Sequence, residues 1–175
     1  MNDNIEIRRV DAADVRPLRA ELLRPGTPPD QLVFEGDDDP QALHLGAFAN
    51  DKMVGIASVV QQPPAVSVGL PDVHPDPDNA QAWRLRTMAV SPDWQGAGVG
   101  GLLLKTAIGY VATQEGTVLW CDARTNAVSF YNEHGFVAMG DEYAKPQAGP
   151  HFFMQRGMVP GDVAFSDHVD LGGDA

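Results

Sequence analysis

Between a strand-like run and a helix-like run lies the segment Gln95-Gly96-Ala97-Gly98-Val99-Gly100-Gly101. It constrains the fold more than any other stretch of the chain. A turn this dense in glycine lets backbone N–H groups come close to an anion, because no Cβ stands in the way. The helix that follows adds its partly positive N-terminus at the same place. The ligand this combination suits is a phosphate or pyrophosphate.

The surrounding pattern sets the fold class. Residues 4–10 alternate apolar and polar side chains as a half-buried strand does. Asp11 is placed to cap a helix carrying Val15, Leu18 and Leu22. Residues 25–41 read as loop, with an acidic run at Asp37-Asp38-Asp39. Residues 43–49 and 52–60 read as a hairpin turning at Asn50-Asp51. A proline-rich excursion over 62–80 follows, then a strand over 82–90, the glycine turn, and a helix from about 98 to 114 whose apolar stripe is Leu104, Ala107, Ile108 and Val111. Val118–Cys121 reads as a buried strand, 126–134 as a short helix closed by Gly135, and 136–144 with 151–158 as a last antiparallel pair. The order β-α-β-β-β-α-β-α-β-β predicts an α/β (α+β) domain with a mixed sheet flanked by helices. One domain over 1–159 and a polar, frayed tail over 160–175 are expected.

Composition narrows the function classes. The chain has 175 residues, 43% hydrophobic, with a formal net charge of −12. That charge argues against a nucleic-acid binder built on phosphate contacts. No apolar run has membrane-spanning length, and Met1-Asn2-Asp3-Asn4 begins no signal segment. With one cysteine, Cys121, no internal disulfide is available, and a cytoplasmic location is the expectation. Cys121 sits in an apolar run and reads as a buried small hydrophobe rather than a nucleophile. The five histidines are scattered without ligand spacing, and the acidic run lacks the alternation of a calcium loop, so no metal site is expected.

The glycine turn admits two readings. Gly96, Gly98 and Gly101 satisfy G-x-G-x-x-G, and Asp122 follows about 20 residues later, as in a dinucleotide site. There, however, the first glycine follows its strand almost directly, whereas Ser91 to Gln95 intervene here, and the motif lies after several strands rather than at the head of a parallel α/β unit. The second reading is Gln95-x-x-Gly98-x-Gly100, followed by Asn126-Ala127-Val128-Ser129-Phe130-Tyr131 and Gly135-Phe136. These two half-motifs, at this separation and on these elements, resemble the GNAT superfamily of acyl-CoA-dependent N-acyltransferases. Gln95 stands where many members carry arginine.

The resemblance implies a mainly antiparallel sheet whose fourth and fifth strands splay apart, and an acetyl group transferred from acetyl-CoA to a primary amine by direct attack in a ternary complex. It implies that the amides of Gln95, Gly96, Ala97, Gly98, Val99, Gly100 and Gly101 hold the pyrophosphate and that Met88 and Val90 pair with the pantetheine arm. The Val90 N–H would lie near the thioester carbonyl, and Asn126 would reach the pantetheine. Tyr131 is the general-acid candidate, its alternative being a packing aromatic. A non-catalytic acyl-CoA sensor on the same fold is the rival. For the acceptor side, Glu35, His44, Glu142 and His151 are candidate bases or ligands. Arg86 shares strand parity with Met88 and Val90, so it either binds an acceptor carboxylate or forms a structural ion pair. Asp122 and Arg124 are expected to pair at the surface. The acidic run is read as a solvated turn or as a lip for a cationic acceptor. Antibiotic, polyamine, amino acid and peptide N-terminus all remain open as acceptors, and many relatives form homodimers.

Overall fold

The computed structural model describes residues 4–64, 81–146, 148–166 and 169. Most of the proline-rich excursion and the end of the expected tail therefore lie outside the described residues. The chain forms strand β1 (Ile5–Val10), helix α1 (Ala12–Leu23), strands β2 (Leu43–Ala49), β3 (Lys52–Gln61) and β4 (Ala82–Val90), helix α2 (Val99–Thr113), strand β5 (Val118–Arg124), helix α3 (Val128–Asn132), and strands β6 (Val137–Lys145) and β7 (Gly149–Gly157). Short 3-10 turns cover Pro29–Gln31, Pro92–Trp94, Thr125–Ala127 and Pro160–Ser166.

The strands make one seven-stranded sheet in the order β1-β2-β3-β4-β5-β7-β6. The β2–β3 hairpin turns through Asn50 and Asp51, both at positive φ, the geometry that matches the twist of paired strands. Helices cover both faces. A Cβ on Gly55 would meet Leu103 and Val99 of α2, whereas Ser58 accepts a hydrogen bond from Arg19 of α1. Residues 55 and 58 differ in parity, so they point to opposite sides of β3. The α2 stripe of Leu103, Leu104, Ala107, Ile108 and Val111 is fully buried in the main core.

The feature that positions the site is the junction of β4 and β5. They run parallel, and all other neighbouring pairs run antiparallel. Their ladder covers only Ala82–Arg84 against Val118–Trp120. Past it, β4 stays with β3 and β5 stays with β7 out to Arg124. A bulge directs the divergence: Arg86 faces Ser58 and Ala89 faces Ile56, so two residues of β4, Thr87 and Met88, oppose Ala57 alone. Thr87 has φ +52°, a left-handed conformation that β-branched residues rarely adopt. The bulge also breaks the simple alternation between Arg86 and Val90 assumed from the sequence.

Two expectations are corrected. Asp37 does not belong to a solvated acidic turn. Its side chain is fully buried, bonded to Arg19 Nη1 at 2.7 Å and Arg86 Nη2 at 2.8 Å, and it accepts the Phe34 amide at 2.9 Å. Arg19 therefore occupies a core position on α1, where the sequence pattern shows only a charged residue between apolar ones. The segment from Pro160 is not frayed at its start. Asp162 is buried, pairs with Arg156 and accepts the Val159 amide, and the 3-10 turn packs on α2. No helix among the described residues is long and apolar enough to cross a membrane.

Burial would raise the Asp37 carboxyl, but the bonds from Arg19, Phe34 and Arg86 outweigh it and hold the group well below the ordinary carboxylate range. A depressed native value stabilises the fold above the unfolded value of about 3.9 and loses that contribution as the pH falls through the native one. Asp37→Asn, which strands two buried guanidinium groups, is expected to cost about 3–5 kcal/mol at neutral pH. Urea unfolding at pH 7 and pH 3 measures this; the variant should differ from the parent less at pH 3 than at pH 7.

Candidate active site

The glycine turn opens onto a groove of 810 Å³ bounded by the end of β4, the start of α2 and the Thr125–Ala127 turn leading into α3. Gly96 and Gly98 have φ +80° and +86°, and a Cβ at either would project into open space. Val99 anchors α2 in the core, while the first amides of that helix, from Val99 to Gly101, have no intrahelical acceptor. Gly96, Gly98, Val99, Gly100 and Gly101 line the groove together with Met88, Val90, Gln95 and Asn126. Ala97 is exposed at the tip of the turn. The Gln95 side chain turns back and donates to the Val90 carbonyl at 3.0 Å, which ties the turn to the end of β4. Phe130 of α3 sits against Gly100, so α3 and α2 close one wall of the groove.

A second cavity of 340 Å³ lies beyond the divergence of β4 and β5. Leu23, Met88, Arg124 and Ala127 line both spaces, so the two meet at the slot between the strands. Tyr131 and Cys121 face this cavity. Tyr131 is buried, edge-on to Phe130 and Phe136, and burial pushes its hydroxyl well above the usual tyrosine range. It stays protonated and available as a hydrogen-bond donor. Burial also pushes the Cys121 thiol up, so it carries almost no thiolate at neutral pH.

The four acceptor-side candidates separate clearly. His151 lines the cavity and is buried. Its Nδ1 lies 2.9 Å from the Gly149 carbonyl, which can only accept, so Nδ1 is a donor and Nε2 is the nitrogen that carries the lone pair when the ring is neutral. His44 is also buried, but both ring nitrogens are engaged, by Ser58 Oγ at 2.8 Å and the Asp37 carbonyl at 2.9 Å, and it does not line the cavity. Burial lowers its affinity for a second proton. Glu35 is exposed and meets Arg86 only through its carbonyl. Glu142 is exposed and accepts from Thr125 Oγ1. Arg86 reaches the cavity wall but its guanidinium is held by Asp37 and the Glu35 carbonyl.

The expected Asp122–Arg124 pair does not form. Asp122 is bonded to Arg84 at 3.2 Å, to Lys145 at 2.9 Å and to the Tyr143 hydroxyl. Burial would raise this carboxyl, but the bonds from Tyr143 and Lys145 outweigh it and lower it. It also faces the smaller cavity rather than the glycine turn, which removes the ribose-binding role a dinucleotide site would give it. Sequence reasoning passed over Arg24, Arg84 and Lys145, which also line the cavity. Arg84 was the legible one, two residues from Arg86 on the strand entering the glycine turn. Lys145 becomes relevant only once β6 is known to sit beyond β7.

A family model described as Acetyltransferase (GNAT) domain matches residues 29–148, and the chain belongs to that family. Among its relatives is the uncharacterized N-acetyltransferase YitI of Bacillus subtilis (strain 168), 26% identical over 152 residues, which cover 87% of this chain and 95% of that protein. Solved structures share the fold. Escherichia coli ElaA superposes with a TM-score of 0.67 at 18% identity, covering 87% of this chain and 99% of its own. BjaI, a CoA-dependent acyl-homoserine lactone synthase solved with SAM and isopentyl-CoA, gives 0.73 at 16% identity, covering 98% and 95%.

The burial of Cys121 generates a direct prediction. A thiol reagent such as DTNB should label the native protein at least about 100-fold more slowly than the urea-unfolded chain. Comparable rates would contradict the buried, protonated thiol described here.

Proposed function

We propose that the protein transfers an acetyl group from acetyl-CoA to the primary amine of a small acceptor, by direct attack while both are bound. The observation that carries this reading is the meeting of two spaces at Met88, Ala127 and Arg124 where β4 leaves β5. An anion-binding turn opens on one side of that slot, and a cavity with a donor and an acceptor group lies on the other. Family membership and the relative YitI support acyl transfer to nitrogen. CoA supplies the activated thioester, and the free amides at the start of α2 suit its pyrophosphate.

The chain's own groups divide the work. Amides from Gln95 to Gly101 hold the pyrophosphate, a local device needed in a protein whose overall charge of −12 opposes a polyanion. The Met88–Val90 backbone lies beyond the last pair with β5, leaving its edge open to an extended arm. A backbone N–H there, aimed at the developing oxyanion, is worth about 3 kcal/mol. Asn126 projects from the opposite wall of the groove. His151 Nε2 takes a proton from the acceptor ammonium and returns it to water. The amine nitrogen then forms the C–N bond as the C–S bond breaks; the Tyr131 hydroxyl hydrogen-bonds and protonates the leaving sulfur, and the second proton lost by the nitrogen restores Tyr131. Thiols titrate near about 8.5, so the sulfur leaves readily and Tyr131 contributes a modest factor. Cys121, protonated and buried, offers no acyl-enzyme route.

Titration calorimetry with acetyl-CoA should show binding in the micromolar range, and its absence would defeat the reading. Gly98→Val puts a side chain in the groove at a positive φ, and is expected to weaken that binding at least about tenfold while leaving a folded protein. Tyr131→Phe should lower kcat about 10- to 100-fold without changing acetyl-CoA affinity. His151→Asn should lower kcat about tenfold at pH 7, with the deficit shrinking at high pH where the acceptor amine is already neutral. Binding without thiol release for every amine tried would favour a non-catalytic sensor.

A further inference from the structure

The acceptor cavity is cationic in an acidic protein. Arg19, Arg24, Arg84, Arg86, Arg124 and Lys145 line it. Against these six charges stand two carboxylates, Asp122 in the wall and Asp37 behind it, leaving an excess of four positive charges. Asp37 is shared by Arg19 and Arg86, and Asp122 by Arg84 and Lys145, so among the described residues no carboxylate lining the cavity remains free to receive a cationic acceptor. Arg24 and Arg124 are different. Among the described residues neither is held by a carboxylate; Arg24 has one long bond of 3.3 Å to the Leu23 carbonyl. Arg24 stands at the C-terminal end of α1 and Arg124 at the end of β5, two elements that border the slot.

We infer that the acceptor is a small amine bearing a carboxylate, of the amino-acid class, and that Arg24 and Arg124 hold the carboxylate while its amine faces His151. This rests on the acetyltransfer reading above. Guanidinium groups recognise carboxylates through paired, planar hydrogen bonds, and a low-dielectric wall focuses their field into the cavity. The volume of 340 Å³ suits one small molecule. The same field opposes polyamines and other multiply charged cations, which removes the expectation of a cationic acceptor drawn to the acidic run. It also favours the neutral form of the acceptor amine, the form that attacks the thioester.

Acetyl-CoA-dependent thiol release with matched amines tests this: L-leucine, L-leucinamide, leucinol, O-phosphoethanolamine and spermidine. L-Leucine is expected to give a kcat/KM at least about tenfold above its amide and alcohol. Arg24→Gln, which touches only the acceptor cavity, should raise KM for L-leucine about tenfold or more, with acetyl-CoA affinity unchanged. Arg124→Gln should do the same, and a rise in the acetyl-CoA dissociation constant instead would assign it to the other ligand. Higher activity with O-phosphoethanolamine than with L-leucine would replace the carboxylate by a phosphate and overturn the assignment to amino acids. Spermidine or leucinamide equal to L-leucine would overturn the inference outright. So would acetyl-CoA binding without turnover of any anionic amine, whereas loss of acetyl-CoA binding itself would overturn the underlying function.

Discussion

Everything functional in this fold follows from how briefly β4 and β5 touch. Three residues of each strand pair in parallel, and then the bulge at Thr87 turns β4 away. A full ladder would satisfy the β4 backbone with β5 and leave no passage between the two faces of the sheet. The short one creates a slot, keeps one edge of Met88–Val90 open, and leads the strand directly into the glycine turn. The left-handed threonine lies on a strand held by β3 on one edge and packed against α1. Backbone irregularity of this kind persists where surrounding contacts over-determine it.

The buried Asp37 makes the second structural demand. It joins α1 through Arg19, β4 through Arg86 and the loop before β2 through its own backbone, with Ser58 and His44 completing the network. A buried carboxylate shared between two guanidinium groups carries a large desolvation cost, offset only by close geometry. The arrangement fixes the cavity wall and leaves it one positive charge in excess. Asp122 repeats the pattern with Arg84 and Lys145. Two carboxylates thus organise four cations around the smaller cavity without cancelling them. A chain of net charge −12 thereby acquires a locally positive chamber.

Much of this frame was legible in the sequence, because its signals are local. Asn50-Asp51 specifies a tight hairpin, Gly96 and Gly98 mark backbone that bulkier residues avoid, and the Leu104–Val111 stripe has helical period. The distance from the glycine turn to Phe130-Tyr131 placed both walls of the groove. What could not be read was charge partnering. Asp37 lies between Gly36 and Asp38 in what looks like a solvated run, and only the fold reveals that it points inward to Arg19 and Arg86. Asp122 and Arg124 lie two apart in sequence but do not pair, since Asp122 is met by Arg84 of β4 and by Tyr143 and Lys145 of β6, beyond β7. His44 and His151 look equivalent as sequence, yet the carbonyl of Gly149 leaves one nitrogen bare in His151, whereas in His44 both are engaged.

Hydrogen–deuterium exchange with and without CoA examines the slot itself. The account predicts added protection in peptides spanning Met88–Val90 and Gln95–Gly101 together, with little change along β1 and β2. Protection confined to the glycine turn, with the Met88–Val90 amides exchanging as fast as before, would contradict a cofactor arm seated between the diverging strands.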